Sequence, residues 1–319
     1  MKNVFRILKK EFPNIQNNVL MKNHTTFKIG GPAEYFLIVR KREDLMKAIK
    51  VAKKLTIPVF ILGGGSNLLV SDKGFSGLVI KIELDNLVLK KKNTIISDAG
   101  VTMQNLVNMS LKNSLVALEW AGGLPGTVGG AVRGNAGAFG GEVKDSILSV
   151  EALDKNLQLR KLSNTQCQFS YRSSIFKKKN WTIVSVVIKC KKGDKKTLQE
   201  IANSHIKYRK EKHPLEYPNA GSVFKNVDFK KIPLRLQNLF LDKVKKDPFL
   251  IVPSAWFIIG AGLTGKKIGK AQISKKHSNY IVNLGGAKAK DVAQLITFAK
   301  EKIKEKYGVS LEQEIQYLQ

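Results

Sequence analysis

The spacing of apolar and polar residues predicts helices and strands along the whole chain. Apolar residues at helical spacing predict helices over residues 5–11, 43–55, 102–111, 196–211, 253–259 and 289–306. Short apolar runs predict strands over residues 34–40, 59–62, 78–82, 87–89, 94–97, 147–153, 157–162, 182–190, 280–282 and 311–315. The strand–helix–strand order over residues 34–62 is typical of a parallel pair joined by a crossover.

Glycine interrupts this pattern most strongly in residues 119–142, EWAGGLPGTVGGAVRGNAGAFGGE, which hold nine of the 26 glycines of the chain. Such a cluster indicates positive φ angles or close backbone approach, because glycine loses the most entropy on folding. A flexible linker would lack apolar residues such as Trp120, Leu124 and Phe139. We therefore interpret the stretch as a ligand cradle, whose backbone N–H groups would suit a pyrophosphate.

A second glycine-rich loop, GGGSN at residues 63–67, follows a predicted strand, so that its N–H groups could also reach a phosphate. The loop fits neither the P-loop nor the GxGxxG fingerprint. Residues 260–267 approach the P-loop pattern, but Lys267 stands where a hydroxyl should bind magnesium. We therefore expect no ATP site there.

Composition narrows the class of protein. A chain of 319 residues, 43% of them hydrophobic, is long enough for two or three globular domains. No apolar run approaches the roughly 20 residues needed to span a bilayer, and no signal peptide is recognisable, so a cytoplasmic protein is expected. Cys167 and Cys190 form neither a disulfide framework nor a metal motif, and we expect no metal site.

The formal net charge of +30 comes from lysines scattered through every segment, with only eight arginines. Readers of nucleic-acid sequence rely on arginine for bidentate contacts, so no specific nucleic-acid partner is expected. A weak, salt-sensitive affinity for polyanions still follows from the charge alone.

Several blocks, taken in order, resemble one family. GGGSNLLV, LPGTVGGAVRGNAGAFGGE, YRSSIFK and NAGSVFKN are similar to motifs of the flavin-dependent UDP-N-acetylenolpyruvoylglucosamine reductases, as are residues 265–292 and the closing LEQEI. The resemblance covers residues 19–317. The short connection over residues 177–185 matches the shorter-form subclass, which lacks an extra substrate-capping segment.

The resemblance implies an α+β fold of the vanillyl-alcohol-oxidase type. Its FAD-binding subdomains would span residues 1–77 and 78–212, and a substrate-binding domain would span 213–319, with a final strand over 311–317 returning toward the flavin. It also implies a cytoplasmic oxidoreductase that takes part in peptidoglycan synthesis. Such an enzyme would contribute to cell wall biogenesis, cell shape and cell division. A monomer that acts on NADPH and a UDP-sugar is expected, without membrane association.

The family's chemistry can be assigned residue by residue. Hydride would pass from flavin to the terminal methylene carbon of the enolpyruvyl ether; Ser222 would then protonate the carbon that bears the ether oxygen. Arg172 would hold the substrate carboxylate, and Glu314 would stabilise the developing enolate. The implied FAD contacts are Gly63, Gly64, Gly65, Ser66, Asn67, Gly123, Pro125, Gly126, Thr127, Gly129, Gly130, Asn135 and Gly137. The implied substrate contacts are Tyr171, Arg209, Lys212, Lys225, Asn226 and Gln272.

Three positions depart from the family's pattern: Ile259 replaces a common acidic residue, Val227 a proline, and Gln316 an arginine found in some members. Two alternative functions stay open. A related FAD-dependent oxidase would share the cradle but act on another small substrate, often with covalent flavin. No histidine lies in a glycine-rich loop, which favours noncovalent FAD. A non-catalytic polyanion-binding protein is favoured only by the charge.

Overall fold

A computed structural model describes residues 2–246 and 248–319 of the chain. The α-helices within this part are α1 (Lys2–Glu11), α2 (Arg42–Lys54), α3 (Met103–Lys112), α4 (Val128–Arg133), α5 (Ile175–Lys178), α6 (Lys195–Lys212), α7 (Leu234–Gln237), α8 (Ser254–Gly260) and α9 (Ala289–Tyr307). The strands are β1 (Gln16–Leu20), β2 (Pro32–Val39), β3 (Val59–Leu62), β4 (Leu68–Val70), β5 (Phe75–Ile82), β6 (Leu87–Lys90), β7 (Thr94–Asp98), β8 (Leu115–Val116), β9 (Gly137–Ala138), β10 (Gly141–Glu142), β11 (Ile147–Leu153), β12 (Leu159–Ser163), β13 (Thr182–Lys189), β14 (Lys191–Lys192), β15 (Asn219–Ser222), β16 (Val227–Asp228), β17 (Ile251–Val252), β18 (Lys267–Ile268), β19 (Ala271–Ile273), β20 (Tyr280–Asn283) and β21 (Gln316–Leu318).

The predicted helices are all present, and most of their ends agree with the structure to within a residue or two. Helix α3 illustrates why: the hydroxyl of Thr102 accepts a hydrogen bond from the N–H of Asn105 at 3.1 Å, as an N-cap should. Strands β3 and β11 have the predicted ends. In the described part of the chain, no helix is long and apolar enough to cross a membrane.

Two predictions about strands are wrong. Strand β3 does not pair with β2, because β5 lies between them and pairs in parallel with β3. Residues 311–315 form no continuous strand; only the single bridge between Phe224 and Gln313 occurs there, and the last strand is β21. The alternating apolar residues Leu311 and Ile315 are buried, but the main chain between them is not paired in a ladder.

By its internal contacts the chain divides into two compact units. Unit 1 comprises residues 1–19, 33–64 and 76–208, and unit 2 comprises residues 20–32, 65–75 and 209–319. The boundary between Gly64 and Gly65 falls inside the GGGSN loop. The division into three domains at residues 77 and 212 stays a prediction.

Unit 1 is built around two sheets. One has the strand order β1-β2-β5-β3, and its strands lie in this unit apart from a few end residues. The other is antiparallel throughout, in the order β12-β11-β13-β7-β6. Buried apolar side chains from both sheets and from α2 and α3 form one core, which includes Leu45, Leu106 and Val150. This core supports the glycine-rich stretch, whose Val128 and Val132 are part of it.

Unit 2 contains the antiparallel sheet β15-β20-β19-β18, against which α9 packs. Its core includes Phe27 and Leu69 from the two short early segments. Polar contacts attach the same segments: Asp72 accepts hydrogen bonds from the first N–H groups of α9, and Asn283 donates to the oxygen of Phe27 at 3.1 Å. A helix N-terminus favours such an acidic partner.

Candidate active site

The two glycine-rich segments meet backbone to backbone in unit 1. A Cβ added to Gly64 would lie 2.8 Å from the Cα of Gly126, and one added to Gly63 would lie 2.5 Å from Oγ1 of Thr127. Only glycine permits this approach. Gly126 also has a φ of 104°, a conformation that other residues rarely adopt. The glycines therefore serve close packing of two loops, and the flexible-linker interpretation is wrong.

Helix α4 lies within the glycine-rich stretch and its first N–H groups already have partners. Thr127 caps the helix through its hydroxyl, which accepts from the N–H of Gly130 at 3.4 Å. The N–H groups of Val128 and Gly129 donate to the oxygens of Val101 and Ala99, both at 2.9 Å. A cofactor contact of Gly129 or Gly130 would therefore have to use other atoms than these N–H groups.

Sharp turns in the two loops suit the phosphates of a cofactor such as FAD. The space beside Gly63 and Gly64 is filled by Thr127 and Gly126, so these two glycines serve the packing of the loops. Gly65 and Gly123 adopt positive φ angles of 63° and 71°, which turn the chain sharply at each loop. Main-chain dipoles on such turns are suited to phosphate groups.

Arg172 lies in a tight turn in unit 1. The main chains of Ser170 and Ser173 exchange two hydrogen bonds of 3.0 Å, with Tyr171 and Arg172 between them. Arg172 has a φ of 54°, where glycine is the usual residue. Its Nη2 donates to the oxygen of Gly137 at 2.9 Å, and its guanidinium lies 5.0 Å from the ring centre of Tyr171. Strain of this kind is concentrated at functional sites.

Asn135 supports this turn from the glycine-rich stretch. Its side chain is fully buried, and its Nδ2 donates to the oxygen of Ser170 at 3.2 Å. Its Oδ1 accepts from the N–H of Lys144 at 3.1 Å. Both ends of the amide are therefore engaged with main chain. The contact of Asn135 with FAD stays a prediction, whereas its support of the Arg172 turn could not be derived from the sequence.

Ser222 ends strand β15 in unit 2, opposite Tyr280 of β20. The next residues are fixed by Asn279, which sequence reasoning missed. Its main-chain oxygen accepts from the N–H of Val223 at 2.8 Å, while its buried side chain exchanges hydrogen bonds of 3.0 and 2.8 Å with the main chain of Phe224. This buried asparagine therefore satisfies the main chain of the two residues that follow Ser222.

Glu314 is brought beside this strand end in the same unit. Its N–H donates to the oxygen of Val223 at 2.8 Å, and its oxygen accepts from Nδ2 of Asn67 at 3.3 Å. Strand β21, which follows, pairs in parallel with β4, which follows the GGGSN loop. Three predicted site residues, Asn67, Ser222 and Glu314, therefore belong to one connected group in unit 2.

Arg209 and Lys212 lie on the last turns of α6, and Arg209 is buried whereas Lys212 is exposed. Burial lowers the pKa of the Arg209 guanidinium, which nevertheless stays charged. Nearby, the hydroxyl of Tyr280 is 3.2 Å from Nδ1 of His213. Burial, and then the charge of His277, lower the pKa of His213 to about 4, so that it is neutral near pH 7.

The other predicted substrate contacts are also in defined positions. Lys225 pairs with Glu312, and the side-chain oxygen of Asn226 accepts from the N–H of Ser254 at 3.4 Å. Gln272 is buried in β19 and donates to the oxygen of Gly265 at 2.9 Å. These contacts show how the side chains are oriented; their part in binding substrate stays a prediction.

Comparison with known sequences first defines the class. A family model described as "FAD binding domain" matches residues 33–163, which include both glycine-rich segments described above. The chain is therefore a protein with an FAD-binding domain, and the predicted α+β FAD-binding fold is confirmed.

A second model, "UDP-N-acetylenolpyruvoylglucosamine reductase, C-terminal domain", matches residues 213–318. The UDP-N-acetylenolpyruvoylglucosamine reductase of Clostridium novyi is 39% identical over 97% of this chain and 93% of its own length. That of Caldanaerobacter subterraneus is 40% identical over 93% of this chain and 91% of its own length. The chain belongs to the family of UDP-N-acetylenolpyruvoylglucosamine reductases.

A solved structure agrees with this assignment. UDP-N-acetylenolpyruvylglucosamine reductase (MurB) from Thermus caldophilus superimposes with a TM-score of 0.77 at 30% identity, covering 96% of this chain and 99% of that one. The predicted family is thus confirmed, and these relatives support neither the oxidase nor the polyanion-binding alternative.

Proposed function

We propose that this chain is an FAD-dependent oxidoreductase that uses NADPH to reduce UDP-N-acetylglucosamine enolpyruvate to UDP-N-acetylmuramate, a precursor of peptidoglycan. Relatives that bear the name of this reductase match nearly the whole chain. The family model for an FAD binding domain matches residues 33–163, which include the two glycine-rich loops, and this supports FAD as the cofactor.

One observation carries the proposal for the site. The main chain of Glu314 is hydrogen-bonded both to Val223, which follows Ser222, and to Asn67 of the GGGSN loop. Two predicted catalytic residues and a predicted cofactor loop are therefore linked by hydrogen bonds within unit 2. The roles assigned to these residues require that they lie close together, and this proximity supports the assignment.

The residues that would hold FAD are those of the GGGSN loop and of the segment 123–137. Bound there, FAD would accept hydride from NADPH and deliver it to the methylene carbon of the enol ether. Arg172 would bind the substrate carboxylate, where its charge offsets the negative charge that develops on reduction. Ser222 would donate a proton to the carbon that bears the ether oxygen. A protonated Glu314 would hydrogen-bond the carboxylate and stabilise the same charge.

Arg209, Lys212 and Asn226 are proposed to meet the substrate phosphates, with Tyr171, Lys225 and Gln272 as further contacts. Arg209 is buried near the end of α6, and a guanidinium shielded from water makes strong, charge-assisted hydrogen bonds to phosphate. We propose that the enzyme is a cytoplasmic monomer with two FAD-binding subdomains and a substrate domain. The reaction would need neither nucleic acid nor membrane.

The replacement Ser222→Ala tests the assignment. The variant should still bind FAD, and NADPH should still bleach its absorbance at the parental rate. Reoxidation by the enolpyruvyl substrate should slow by about 10² to 10⁴, the usual cost of a lost general acid. Slow bleaching by NADPH together with normal reoxidation would refute the role of Ser222. A purified parent protein without flavin absorbance would refute the proposed function itself.

A further inference from the structure

Asn67 links the GGGSN loop to Glu314 through its side chain. Its Nδ2 donates to the main-chain oxygen of Glu314 at 3.3 Å. The N–H of Glu314 donates in turn to the oxygen of Val223 at 2.8 Å. Glu314 is thus held on one side by the predicted cofactor loop and on the other by the strand end that carries Ser222.

The local backbone explains why this contact matters. The bridge between Phe224 and Gln313 includes the hydrogen bond from the N–H of Glu314 to the oxygen of Val223, and β21 starts at Gln316. The main-chain oxygen of Glu314 takes no part in that bridge and accepts instead from the side chain of Asn67. The amide of Asn67 therefore orients the peptide group that follows Glu314, and the direction of the Glu314 side chain is coupled to that of its main chain.

The amide of Asn67 is not required to attach the end of the chain. The main-chain oxygen of Asn67 already accepts from the N–H of Gln316 at 3.0 Å, and β4 pairs with β21 from Leu68 onward. The N–H of Ser71 also donates to the oxygen of Leu318 at 2.7 Å. Loss of the side-chain amide should therefore leave β21 in place and affect Glu314 selectively.

We propose that Asn67 is a positioning residue for Glu314, which couples the direction of this carboxyl group to the occupancy of the GGGSN loop. The proposal rests on the proposed function, in which Glu314 stabilises charge during reduction of the enol ether. A ligand that immobilises the loop also immobilises Asn67, and through it the main chain of Glu314. Catalytic groups need such support, because small errors in placement slow the reaction.

The test uses Asn67→Ala and Asn67→Asp in the holoenzyme, each alone and combined with Glu314→Ala. Asn67→Ala should slow reoxidation by the enolpyruvyl substrate about tenfold, the worth of one hydrogen bond. Asn67→Asp should slow it further, because it places a carboxylate opposite a carbonyl oxygen. Because Asn67 is also a predicted FAD contact, the rates are compared in FAD-saturated protein, where NADPH bleaching should stay near the parental rate. In the Glu314→Ala background, Asn67→Ala should have little further effect on reoxidation.

Hydrogen exchange gives a readout that does not depend on activity. Adding FAD to the apoprotein should protect amides in residues 311–318 of the parent, and this protection should be reduced in Asn67→Ala. The exposed Asn238 provides a matched control, and Asn238→Ala should behave as the parent in every measurement.

Two results would overturn the proposal. The first is an equal slowing of NADPH bleaching and of reoxidation in FAD-saturated Asn67→Ala, with effects that multiply with those of Glu314→Ala. The second is unchanged protection of residues 311–318. A parent enzyme that the enolpyruvyl substrate fails to reoxidise would instead refute the proposed function, and the exchange experiment would still decide the coupling.

Discussion

Replacing Gly64 with alanine tests the close packing of the two glycine-rich loops. The added Cβ would lie 2.8 Å from the Cα and 3.3 Å from the carbonyl carbon of Gly126. Carbon atoms in proteins pack at about 3.5–4.0 Å, so one loop has to move by roughly 1 Å. The φ angle of Gly64 is not in the left-handed region, and the effect is therefore steric alone.

The free-energy cost of Gly64→Ala follows from the kind of atoms that the added Cβ would contact. Both contacts are with main chain, which cannot rotate away as a side chain could. Overpacking of this sort costs about 1–3 kcal/mol. If the cost is relieved by separating the loops, the FAD dissociation constant should rise by about 5-fold to 150-fold, because each 1.4 kcal/mol is a factor of about ten.

Titration of the apoprotein with FAD, followed by quenching of flavin fluorescence, measures this constant directly. Gly134→Ala is the matched control from the same stretch, because its Cβ would have only Gly130 as a neighbour, at 3.6 Å from the oxygen. The control should bind FAD as the parent does. Parental affinity in Gly64→Ala, or an equal loss in Gly134→Ala, would refute the argument from close packing.

Three further predictions concern single side chains. Glu314→Gln should retain far more of the flavin reoxidation rate than Glu314→Ala, because the amide of glutamine still donates a hydrogen bond. Equal, near-parental reoxidation rates in both variants would show that Glu314 is not part of the site. Burial lowers the pKa of His213 from 6.5 to about 4, so the unfolded state takes up the proton first and the free energy of unfolding should fall as pH drops between these values. In urea titrations His213→Gln should reduce this loss by about 1 kcal/mol after solvent screening, and an unchanged acid slope would contradict the assignment. Burial raises the pKa of Cys167 to about 12 and that of Cys190 to about 11, so a thiol reagent at about pH 8 should label them only on unfolding, and rapid labelling of the folded protein would contradict their burial.

Sequence patterns predicted the strands and helices whose ends are set by local chemistry. Strand β3 begins after Pro58 and ends at the GGGSN loop, so both limits are marked in the sequence. The pairing of β3 was not predictable in this way. Insertion of β5 between β2 and β3 depends on contacts that no local pattern encodes.

Helix α4 shows the limit of helix propensity. It contains two glycines in six residues, each of which disfavours a helix by about 1 kcal/mol relative to alanine. The helix forms because Val128 and Val132 are buried in the core and Thr127 caps its first turn. Tertiary packing outweighs propensity here, and a single sequence does not reveal that packing.

The candidate site was predictable as residue types but not as a structure. The resemblance to the family assigns roles to Arg172, Ser222 and Glu314, which stay predictions, whereas the supporting contacts of Asn135 and Asn279 carry no local signature. The amide of each asparagine is satisfied by main chain far away in sequence. The apolar residues Leu311 and Ile315 are buried, as their pattern indicates. The pattern does not indicate which groups pair with the main chain between them, and for this reason the strand predicted there was wrong.

The pairing of β21 with β4 also has a consequence for synthesis of the protein on the ribosome. Strand β4 emerges early, but its partner emerges after every other described element. During translation the residues of β4 therefore have an unpaired edge, a feature that invites aggregation. Contacts of such large sequence separation also form slowly. We therefore expect the GGGSN loop to reach its final conformation only after β21 has emerged from the ribosome, so that acquisition of FAD follows the synthesis of every other described element.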